Sequence, residues 1–507
     1  MSVASIADLV AMGRTIELPL ELELKQLTAF DKAVGKNPSV NLEQLQIEKI
    51  FRLVPGVRLV GLSRWRGRAV MVKLFFKPGG AARHLRRELD GCLLLSKLGI
   101  TTPTLLAQAS SLNGEASLVI SEYLQDSRSL GDHYSQASSV EQQQEFLYKA
   151  IDNILQCHRL GLWQEDIHLD NFMLLPSADD SQVFLIDGAS VQDHSQAGSL
   201  ARTQSINNLA MFFAQFKITE ETLLEKACEY YCRHRELERL DWSQMLEIID
   251  TLRTQRLDKY EKKLFRATTA HACRRSLNKF LIYDRRMDSP AFEAFLSDPD
   301  SYIEKGELIK NGNSSTVARV TIGSTDYLLK RYNIKGFWHG LKRLFKTSRA
   351  SNSWRYANSL QMLGVATAKP LMCLERRYFA YLRQRAYFLC ELVPGDHVLQ
   401  LLEQTGDNTV QWSKIEASYS ALFDCMKRYR ISHGDMKASN FIYNDSSLYV
   451  LDLDAMKRHD SQYSFSKKFT KDLNRFNKNW IRNKFNQGQL IERSAAKLVD
   501  RYRNLLD

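Results

Sequence analysis

The sequence has few of the features that mark secreted, membrane-spanning or disordered chains. Its 507 residues include only eight cysteines, and these are scattered without the spacing of a disulfide framework. No window approaches eighteen uncharged apolar residues, and the N-terminal stretch has no basic leader followed by an apolar run. No proline-rich or glycine-serine block signals long disorder. We therefore expect a globular, soluble and cytosolic chain.

Length and charge narrow the possibilities further. A chain of 507 residues exceeds one ordinary core, so two or more domains are expected. The 70 lysines and arginines against 58 acidic residues give a net charge of +12, which favours an anionic partner such as a nucleotide, nucleic acid or acidic membrane surface. Since no recognised nucleic-acid-binding module is present, we do not expect a nucleic-acid partner.

One segment of the sequence occurs twice. In "RISHGDMKASNFIYNDSSLYVLDLDAM", Asn440 follows Asp435 by five residues, and Asp452 ends the second of two apolar runs. The first half repeats this layout in "LGLWQEDIHLDNFMLLPSADDSQVFLIDGASV" with Asp166, Asn171 and Asp187. Each copy is predicted to form a loop, a two-stranded hairpin and an acid at the strand end.

A lysine also ends a strand-like run upstream of each copy. Lys73 lies in "RAVMVKLFF", 93 residues before Asp166, and Lys330 lies in "TDYLLKRYN", 105 residues before Asp435. The order of lysine, loop and acid is therefore the same in both halves. Such an internal repeat predicts two copies of one kind of domain.

These residue types suit phosphoryl transfer. That reaction needs a carboxylate to orient the acceptor hydroxyl, oxygen ligands for magnesium, and a cation on the nucleotide phosphates. Asp435 and Asp166 are the predicted catalytic carboxylates, and Lys330 and Lys73 the predicted phosphate ligands. Magnesium prefers carboxylate and amide oxygens. The predicted metal ligands are Asn440, Asp452, Asn171 and Asp187, with ATP and Mg²⁺ as cofactors.

The pattern Asp-x4-Asn, followed by a strand-terminal Asp and preceded by a strand Lys, resembles the catalytic set of the protein-kinase-like fold. "HGDMKASNFI", "LDLDAM", "SRASNSW" and "GVATAKPL" further resemble the lipopolysaccharide core heptose kinases (WaaP/RfaP and InaA-like) of Gram-negative bacteria. This resemblance covers most of residues 300 to 460, and the first half resembles the same fold more distantly.

The resemblance implies an α+β fold of tandem, bilobal kinase-like domains, each with an antiparallel-sheet small lobe and a mainly helical large lobe. We place the first domain at residues 1–285, with a mainly helical lead-in over residues 1–50. The second is placed at residues 286–507, with a shortened large lobe. "SINNLAMFFAQF" and "LDKYEKKLFRATTAHACRRSLNKF" are expected to be helices, and "MDSPAFEAFLSDPDSY" carries the turn and breaker residues of a junction.

The resemblance also assigns roles around the catalytic loops. His433 would brace the second loop from inside, and Lys437 would neutralise the transferred phosphate. In the first half Gln164 and Glu165 replace the His-Gly of "SHGD", and His168 takes the place of Lys437.

The lysine of the first half has a predicted partner. "AARHLRRELDGCLLLSKLG" has apolar residues at helical spacing and a stop at Gly99. On this helix Glu88 is placed to pair with Lys73, as the helix glutamate does in kinases.

The second half has no matching glutamate. When Gly364 is aligned with Gly99, Ser353 occupies the position of Glu88. Lys330 is then held either by another carboxylate, such as Glu375 or Glu391, or in a different way.

A turn that covers the nucleotide phosphates is predicted in "IKNGNSSTVARVTI", with Gly312 and Ser314 as cofactor-binding residues. The corresponding stretch of the first half, "LVGLSRWRGRAVMV", keeps only Gly61 and Gly67.

Two basic segments have open interpretations. "IKGFWHGLKRLFKTSRA" contains no acid and either lies on an anionic bilayer or forms a solvated helix of the small lobe. The segment from Lys457 to Lys484 either lines a pocket for a phosphorylated sugar or is a solvated helix.

Only 55 residues follow Asp452, and neither half has the Ala-Pro-Glu element of protein kinases. We therefore predict an ATP-dependent kinase acting on a sugar, by resemblance a heptose of the lipopolysaccharide inner core. Its partner would be a lipid-linked or core oligosaccharide at the cytoplasmic face of the inner membrane. A protein kinase, a kinase joined to a regulatory pseudokinase, and a non-catalytic membrane-associated scaffold stay open, as does the oligomeric state.

Overall fold

The computed structural model describes residues 20–30, 43–111, 116–176, 181–238, 240–333, 347–378, 382–404, 408–444, 447–481 and 488–506. These residues form a mixed helix-and-sheet structure that divides into two compact units. The first unit comprises the described residues within 1–216 and 220–253, and the second those within 217–219 and 254–507.

The first unit contains a closed antiparallel barrel with the strand order β1-β2-β3-β4-β6-β5. Its strands are β1 (Leu20–Ala29), β2 (Glu43–Val54), β3 (Arg58–Trp65), β4 (Arg68–Phe75), β5 (Leu105–Ser111) and β6 (Ser117–Glu122). Alternate side chains of a strand face opposite sides, so every second residue fills the interior. The buried residues include Leu45, Ile47, Val70, Val72, Leu118 and Ile120.

Strands occupy the described part of residues 1–50, so the predicted helical lead-in is wrong there. Leu20, Leu22 and Leu24 alternate with polar residues, which is the period of a strand and not of a helix. Leu22 and Leu24 are buried in the barrel. The alternation of apolar and polar residues therefore indicates a strand at this position.

The rest of the first unit is mainly helical. Its helices are α1 (Ala81–Lys97), α2 (Leu130–Gln136), α3 (Val140–Arg159), α4 (Arg202–Phe213) and α5 (Glu221–His234), and the division between the units falls within α6 (Trp242–Lys263). Its short strands are β7 (Arg128–Ser129), β8 (Leu162–Gln164), β9 (Phe172–Leu175), β10 (Gln182–Leu185) and β11 (Val191–Asp193). The predicted helix before Gly99 is present as α1, and Gly99 has the left-handed φ of +75° that suits a helix stop.

The helix predicted to run from Leu257 to Phe280 ends at Lys263 instead. Residues beyond it form the hairpin β12 (His271–Arg275) and β13 (Lys279–Asp284). The run "KFLIYD" after a Ser-Leu-Asn turn favours a strand because apolar and aromatic side chains pack well on a sheet. Since β13 pairs with β17 (Pro370–Tyr378), the hairpin joins the sheet of the second unit and lies before the boundary predicted at residues 285–286.

The second unit contains a seven-stranded antiparallel sheet with the order β12-β13-β17-β18-β16-β15-β14. Its remaining strands are β14 (Glu307–Asn311), β15 (Ser315–Ile322), β16 (Thr325–Tyr332), β17 (Pro370–Tyr378) and β18 (Leu382–Glu391). On one face a buried cluster joins the sheet to α7 (Pro290–Ser297) and α8 (Pro299–Lys305).

The stretch predicted as a junction therefore forms two helices. Ser289 and Asp298 cap them by accepting hydrogen bonds from the N–H groups of Phe292 and Ser301. A proline follows each cap directly, where its missing N–H is not needed. The breaker residues start helices here because Phe292 and Phe295 are buried against the sheet.

The remainder of the second unit is again mainly helical. Its helices are α9 (Arg349–Leu363), α10 (Val398–Gln404), α11 (Asn408–Arg428), α12 (Gln462–Lys478) and α13 (Gly488–Asn504). Its short strands are β19 (Asp396–His397), β20 (Ile431–Ser432), β21 (Phe441–Asn444), β22 (Ser447–Val450) and β23 (Lys457–Arg458). Across the described parts of both units, no helix is long and apolar enough to span a bilayer.

Candidate active site

Each unit contains the hairpin predicted from the repeat. β9 pairs with β10 in the first unit, and β21 pairs with β22 in the second. The N–H of Leu451 donates to Asn440 O (2.8 Å), and the N–H of Ile186 donates to Asn171 O (3.0 Å). These bonds bring each predicted metal-binding asparagine beside the acid at the end of the hairpin, which is Asp452 or Asp187.

The second unit holds its predicted catalytic loop in a tight turn. The main-chain oxygen of Asp435 accepts from Lys437 N (2.8 Å) and from Asn440 Nδ2 (2.8 Å). Since the Asn440 amide uses its N–H here, its Oδ1 is left as the acceptor that a metal requires. The Asp435 carboxylate lies 2.8 Å from Lys437 Nζ and 3.9 Å from Arg475 Nε.

Two buried side chains brace this loop. His433 Nε2 donates to Leu451 O (3.0 Å), and its Nδ1 accepts from Asp435 N (3.3 Å), so the predicted bracing role of His433 is present. Asp472 of α12 accepts from the N–H groups of His433 (2.7 Å) and Gly434 (2.9 Å). Sequence reasoning missed Asp472, which is a buried acid within an otherwise basic helix.

Lys330 of β16 is held by two aspartates of the loop after β22. Its Nζ donates to Asp452 Oδ1 and to Asp454 Oδ2, the latter at 2.8 Å. Arg349 Nη2 donates to the same Asp454 oxygen at 2.8 Å. Sequence reasoning missed both Asp454 and Arg349, although Asp454 lies only two residues after a predicted metal ligand.

The alternative partners of Lys330 lie elsewhere. Glu375 is buried and accepts from Ser348, Ser351 and Arg377. Glu391 pairs with Lys369 at 2.9 Å. Of the two possibilities left open by the sequence, another carboxylate does hold Lys330, but it is supplied by Asp452 and Asp454 and not by Glu375 or Glu391.

The backbone and the charges at Asp452 mark a constrained position. Its φ of +56° is in the left-handed region, which is uncommon for an aspartate and is found where the surroundings enforce it. Burial opposes its charge, but the contact with Lys330 lowers the pKa of Asp452 to about 2. The carboxylate is therefore ionised at neutral pH.

The first unit pairs Lys73 with Glu88 of α1, as predicted. Lys73 Nζ also donates to Ile186 O at 2.9 Å, which ties β4 to the loop after β10. Burial disfavours the ammonium ion, but Glu88 and Asp187 outweigh it and raise the pKa of Lys73. The phosphate-binding role predicted for Lys73 requires this charge.

A glycine contact fixes α1 against the same loop. A Cβ added at Gly91 would lie 1.9 Å from Gly188 O, and one added at Gly188 would lie 2.6 Å from Cys92 N. Only glycine permits such a close approach of two backbones. This contact sets the position of Glu88 relative to Asp187.

The first catalytic loop has the same turn with different neighbours. Asn171 Nδ2 donates to Asp166 O at 2.7 Å, as Asn440 does to Asp435. The Asp166 side chain is 66% exposed, and His168 Nε2 lies 4.0 Å from its carboxylate. The acid is thus accessible, and a half-buried imidazole stands where the second unit has Lys437.

An asparagine replaces the bracing aspartate in the first unit. Asn208 of α4 accepts from Gln164 N (3.3 Å) and donates to Gln164 O (2.7 Å). It also accepts from Nε2 of the buried His158 (3.0 Å), whose Nδ1 accepts from Tyr231. A neutral network therefore supports this loop. The local sequence gave no signal for Asn208, which lies 44 residues beyond Gln164.

Oxygen donors of the kind that magnesium prefers are present in both units. Burial raises the pKa of Asp187, and its Oδ1 is buried without a hydrogen-bond partner among the described residues. Within that same part of the chain no group of three or more His, Cys, Asp or Glu residues is placed so that it could hold a metal ion. One carboxylate and one asparagine in each unit fit Mg²⁺, whose other ligands would be water and phosphate oxygens.

The predicted phosphate-covering turn of the second unit joins β14 to β15. Gly312 N donates to Ser315 O, and Ser314 O accepts from Asn333 N at the Lys330 end of β16.

In the first unit the corresponding turn is at Pro55 and Gly56, not at Gly61 or Gly67. Gly61 lies within β3, and Gly67 is in the turn at the far end of the hairpin from Lys73. Gly56 has a φ of +68°, and its Pro-Gly dipeptide was the available sequence signal.

The first basic segment spans residues 334–350, of which residues 334–346 lie outside the described part of the chain, so neither interpretation of it is tested. The second basic segment forms β23 and α12, whose aspartate braces the catalytic loop. The structure brings the predicted lysines, aspartates and asparagines together within each unit, and their roles in catalysis stay predictions.

Residues 294–502 match the model of the lipopolysaccharide kinase (Kdo/WaaP) family. The resemblance expected from the sequence is confirmed for this segment, which contains every predicted site residue of the second unit. The family match implies a phosphotransferase that uses ATP.

No curated protein matches the chain. Among solved structures, WaaP in complex with acyl carrier protein is 18% identical and covers 42% of this chain and 88% of that chain, with a TM-score of 0.28. The PknI kinase domain of Mycobacterium tuberculosis, as a double mutant, is 14% identical and covers 36% of this chain and 76% of that chain, with a TM-score of 0.26.

Proposed function

We propose that this protein is an ATP- and Mg²⁺-dependent kinase that phosphorylates a sugar of the lipopolysaccharide inner core, with heptose as the favoured acceptor. One observation carries the proposal. The segment that matches the lipopolysaccharide kinase family also brings Lys330, Asp452, Asn440 and Asp435 into one site.

In this proposal Asp435 accepts the proton of the sugar hydroxyl. The hydroxyl oxygen forms a bond to the γ-phosphorus while the bond from that phosphorus to the oxygen of ADP breaks. Lys330 neutralises the nucleotide phosphates, and Lys437, 2.8 Å from the Asp435 carboxylate, reaches the transferred phosphate. Mg²⁺ held by Asn440 and Asp452 would supply further neutralisation of charge on the phosphates.

We further propose that both units are kinase-like modules, the second catalytic and the first at least nucleotide-binding. The Lys73–Glu88 pair, the loop of Asp166 and Asn171, and the partnerless oxygen of Asp187 support a nucleotide site in the first unit. The acceptor would be a lipid-linked or core oligosaccharide, met at the cytoplasmic face of the inner membrane.

Paired substitutions test the proposal. Asp435→Ala and Asp166→Ala are each assayed for phosphate transfer from ATP to purified core oligosaccharide, with mass spectrometry locating the product. Asp460→Ala, at an exposed aspartate of the second unit, is the matched control. We expect transfer to be lost with Asp435→Ala and kept with the control.

The other outcomes separate the alternatives. Loss of transfer only with Asp166→Ala would reverse the assignment of the two units, and loss with neither would remove the catalytic proposal. Phosphate incorporated into protein without sugar would indicate a protein kinase. Nucleotide uptake by the first unit without any effect of Asp166→Ala on transfer would indicate a kinase joined to a regulatory pseudokinase. No turnover at all would leave a scaffold.

A further inference from the structure

The carboxylate of Asp454 lies between two cations. Its Oδ2 accepts from Lys330 Nζ and from Arg349 Nη2, each at 2.8 Å, and its side chain is only 5% exposed. A buried carboxylate is costly unless it is paired and hydrogen-bonded. Two cations on a single oxygen satisfy that requirement and leave both cations close together.

Arg349 occupies an unfavourable place for a cation. It is the first residue of α9, directly after the capping Ser348, and the positive end of the helix dipole disfavours positive charge there. Its guanidinium lies 5.0 Å from the ring centre of Tyr332 and donates to Ser314 O (3.4 Å) in the predicted phosphate-covering turn. The arginine thus connects that turn to the lysine site, which favours a ligand-binding role.

We propose that Arg349 is a second phosphate-binding cation of the second unit and that Asp454 is the positioning residue that holds it together with Lys330. The inference rests on the proposed function. An arginine fork presents several N–H donors to phosphate oxygens, while lysine acts as a point charge. If Asp452 binds the metal ion, Asp454 still holds Lys330 in place.

The loop does not depend on the Asp454 carboxylate for its path. Asn352 Nδ2 donates to the main-chain oxygens of Asp454 (3.0 Å) and Met456 (2.9 Å), which anchors the loop to α9. Asp454→Asn is therefore expected to fold.

The chain offers a matched control in Asp300. This half-buried carboxylate of α8 accepts from Arg331 Nη1 (2.9 Å), Arg385 and Tyr387 on the same sheet. Asp300→Asn removes a comparable two-arginine contact whose partners are Arg331, Arg385 and Tyr387 and not Lys330, so it serves as the control for loss of stability.

The experiment titrates MgATP and, separately, adenosine into the full chain by calorimetry. All variants carry Lys73→Met, so that uptake reports the second site. We expect Asp454→Asn and Arg349→Gln each to weaken MgATP binding by about tenfold, and adenosine binding by less than about twofold, because the lost contacts are to phosphates. Arg349→Lys should retain part of the affinity, and Asp300→Asn all of it.

Two results would overturn the inference. One is MgATP affinity in Asp454→Asn and Arg349→Gln equal to that of Asp300→Asn. The other is an equal loss for ATP and adenosine, which would mean a general structural effect. Absence of MgATP uptake in the Lys73→Met chain itself would instead reject the proposed nucleotide site of the second unit, and with it this inference.

Discussion

The two units hold their lysines from different elements. Lys73 is paired with Glu88 on helix α1, whereas Lys330 is paired with Asp452 and Asp454 on the loop after β22. In both cases the lysine is mostly buried and a carboxylate keeps it charged. In each unit a carboxylate lies within reach of the ammonium group, and it is supplied by a helix in the first unit and by a loop in the second.

The two units also differ in the side chain that braces the predicted catalytic loop. Asp472 accepts two backbone N–H groups in the second unit, whereas Asn208 both accepts from and donates to Gln164 in the first. An aspartate only accepts when ionised, so it suits a loop that presents two donors. An amide suits a loop that presents one donor and one acceptor.

Substitution of the predicted metal ligands should give the largest difference between the units. Asp452→Asn is expected to lower phosphate transfer to core oligosaccharide on the order of a thousandfold, because charge neutralisation at the phosphates is lost. Asp187→Asn should leave transfer within about a factor of three. A steady-state transfer assay compares them, and an equal loss in both variants would show that the units work as one catalyst.

The close contact between Gly91 and Gly188 should make the stability of the first unit sensitive to an added methyl group. Gly91→Ala places a Cβ against Gly188 O and is expected to destabilise the first unit by about 3 kcal/mol. Gly80→Ala is the control, because its nearest atom is a flexible lysine carbon at 3.4 Å. Differential scanning calorimetry measures both variants. Unfolding of Gly91→Ala at the wild-type temperature would mean that α1 is free to shift.

The stabilities of the units should change with pH in opposite directions. Burial lowers the pKa of His158 to about 4, so between pH 4 and 6.5 the unfolded chain binds more protons and the first unit gains stability as pH rises. Burial raises the pKa of Asp472 to about 6, so between pH 3.8 and 6 the folded chain binds more protons and the second unit loses stability as pH rises.

Each pKa shift changes the free energy of unfolding by about 3 kcal/mol over its window. Thermal unfolding between pH 4 and 7 measures both slopes, with His158→Gln and Asp472→Asn as the variants that should flatten one slope each. A variant that flattens the slope of the other unit would contradict this assignment.

The smallest expected effects on MgATP binding come from Glu88 and Ser353, which occupy aligned positions of α1 and α9. Glu88→Gln is expected to weaken MgATP binding at the first site about tenfold, measured in a chain whose second site carries Lys330→Met. Ser353→Ala, at the aligned position of α9, should change binding at the second site by less than about twofold. Ser353 bonds only Tyr332 Oη among the described side chains, at 2.8 Å. A large effect of Ser353→Ala would remove the distinction between the two units.

Much of each site could be predicted because its members are close in sequence. Asp435 and Asn440 lie in one turn, and Asp452 ends the hairpin that follows, so spacing alone indicates them. The Lys73–Glu88 pair could also be predicted from the sequence, since its strand and the next helix are joined by a short connection. Asp472 and Asn208 were not, because each reaches its loop from a helix some 40 residues further on.

The expectations that the structure contradicts have equally specific causes. The leucines of "LELEL" alternate with polar residues, which is the period of a strand and not of a helical lead-in. Ser289 and Asp298 are residue types that also occur in turns, but a capping residue followed by proline begins a helix. The hairpin at residues 271–284 was joined to the helix before it, since an apolar run without its partner strand is compatible with either structure.

The repeated order of lysine, loop and acid follows from the amino-acid sequence, because each of those motifs is a short-range pattern of residue types and turns. Which carboxylates face the lysines, and which side chains brace the loops, depends on how elements distant in the chain pack together. The physical reason is that an ion pair depends on a few ångströms between atoms, and the packing of helices and sheet sets that distance. Asp454 shows this most clearly, since its neighbours in the chain do not reveal that Lys330 and Arg349 meet at its carboxylate.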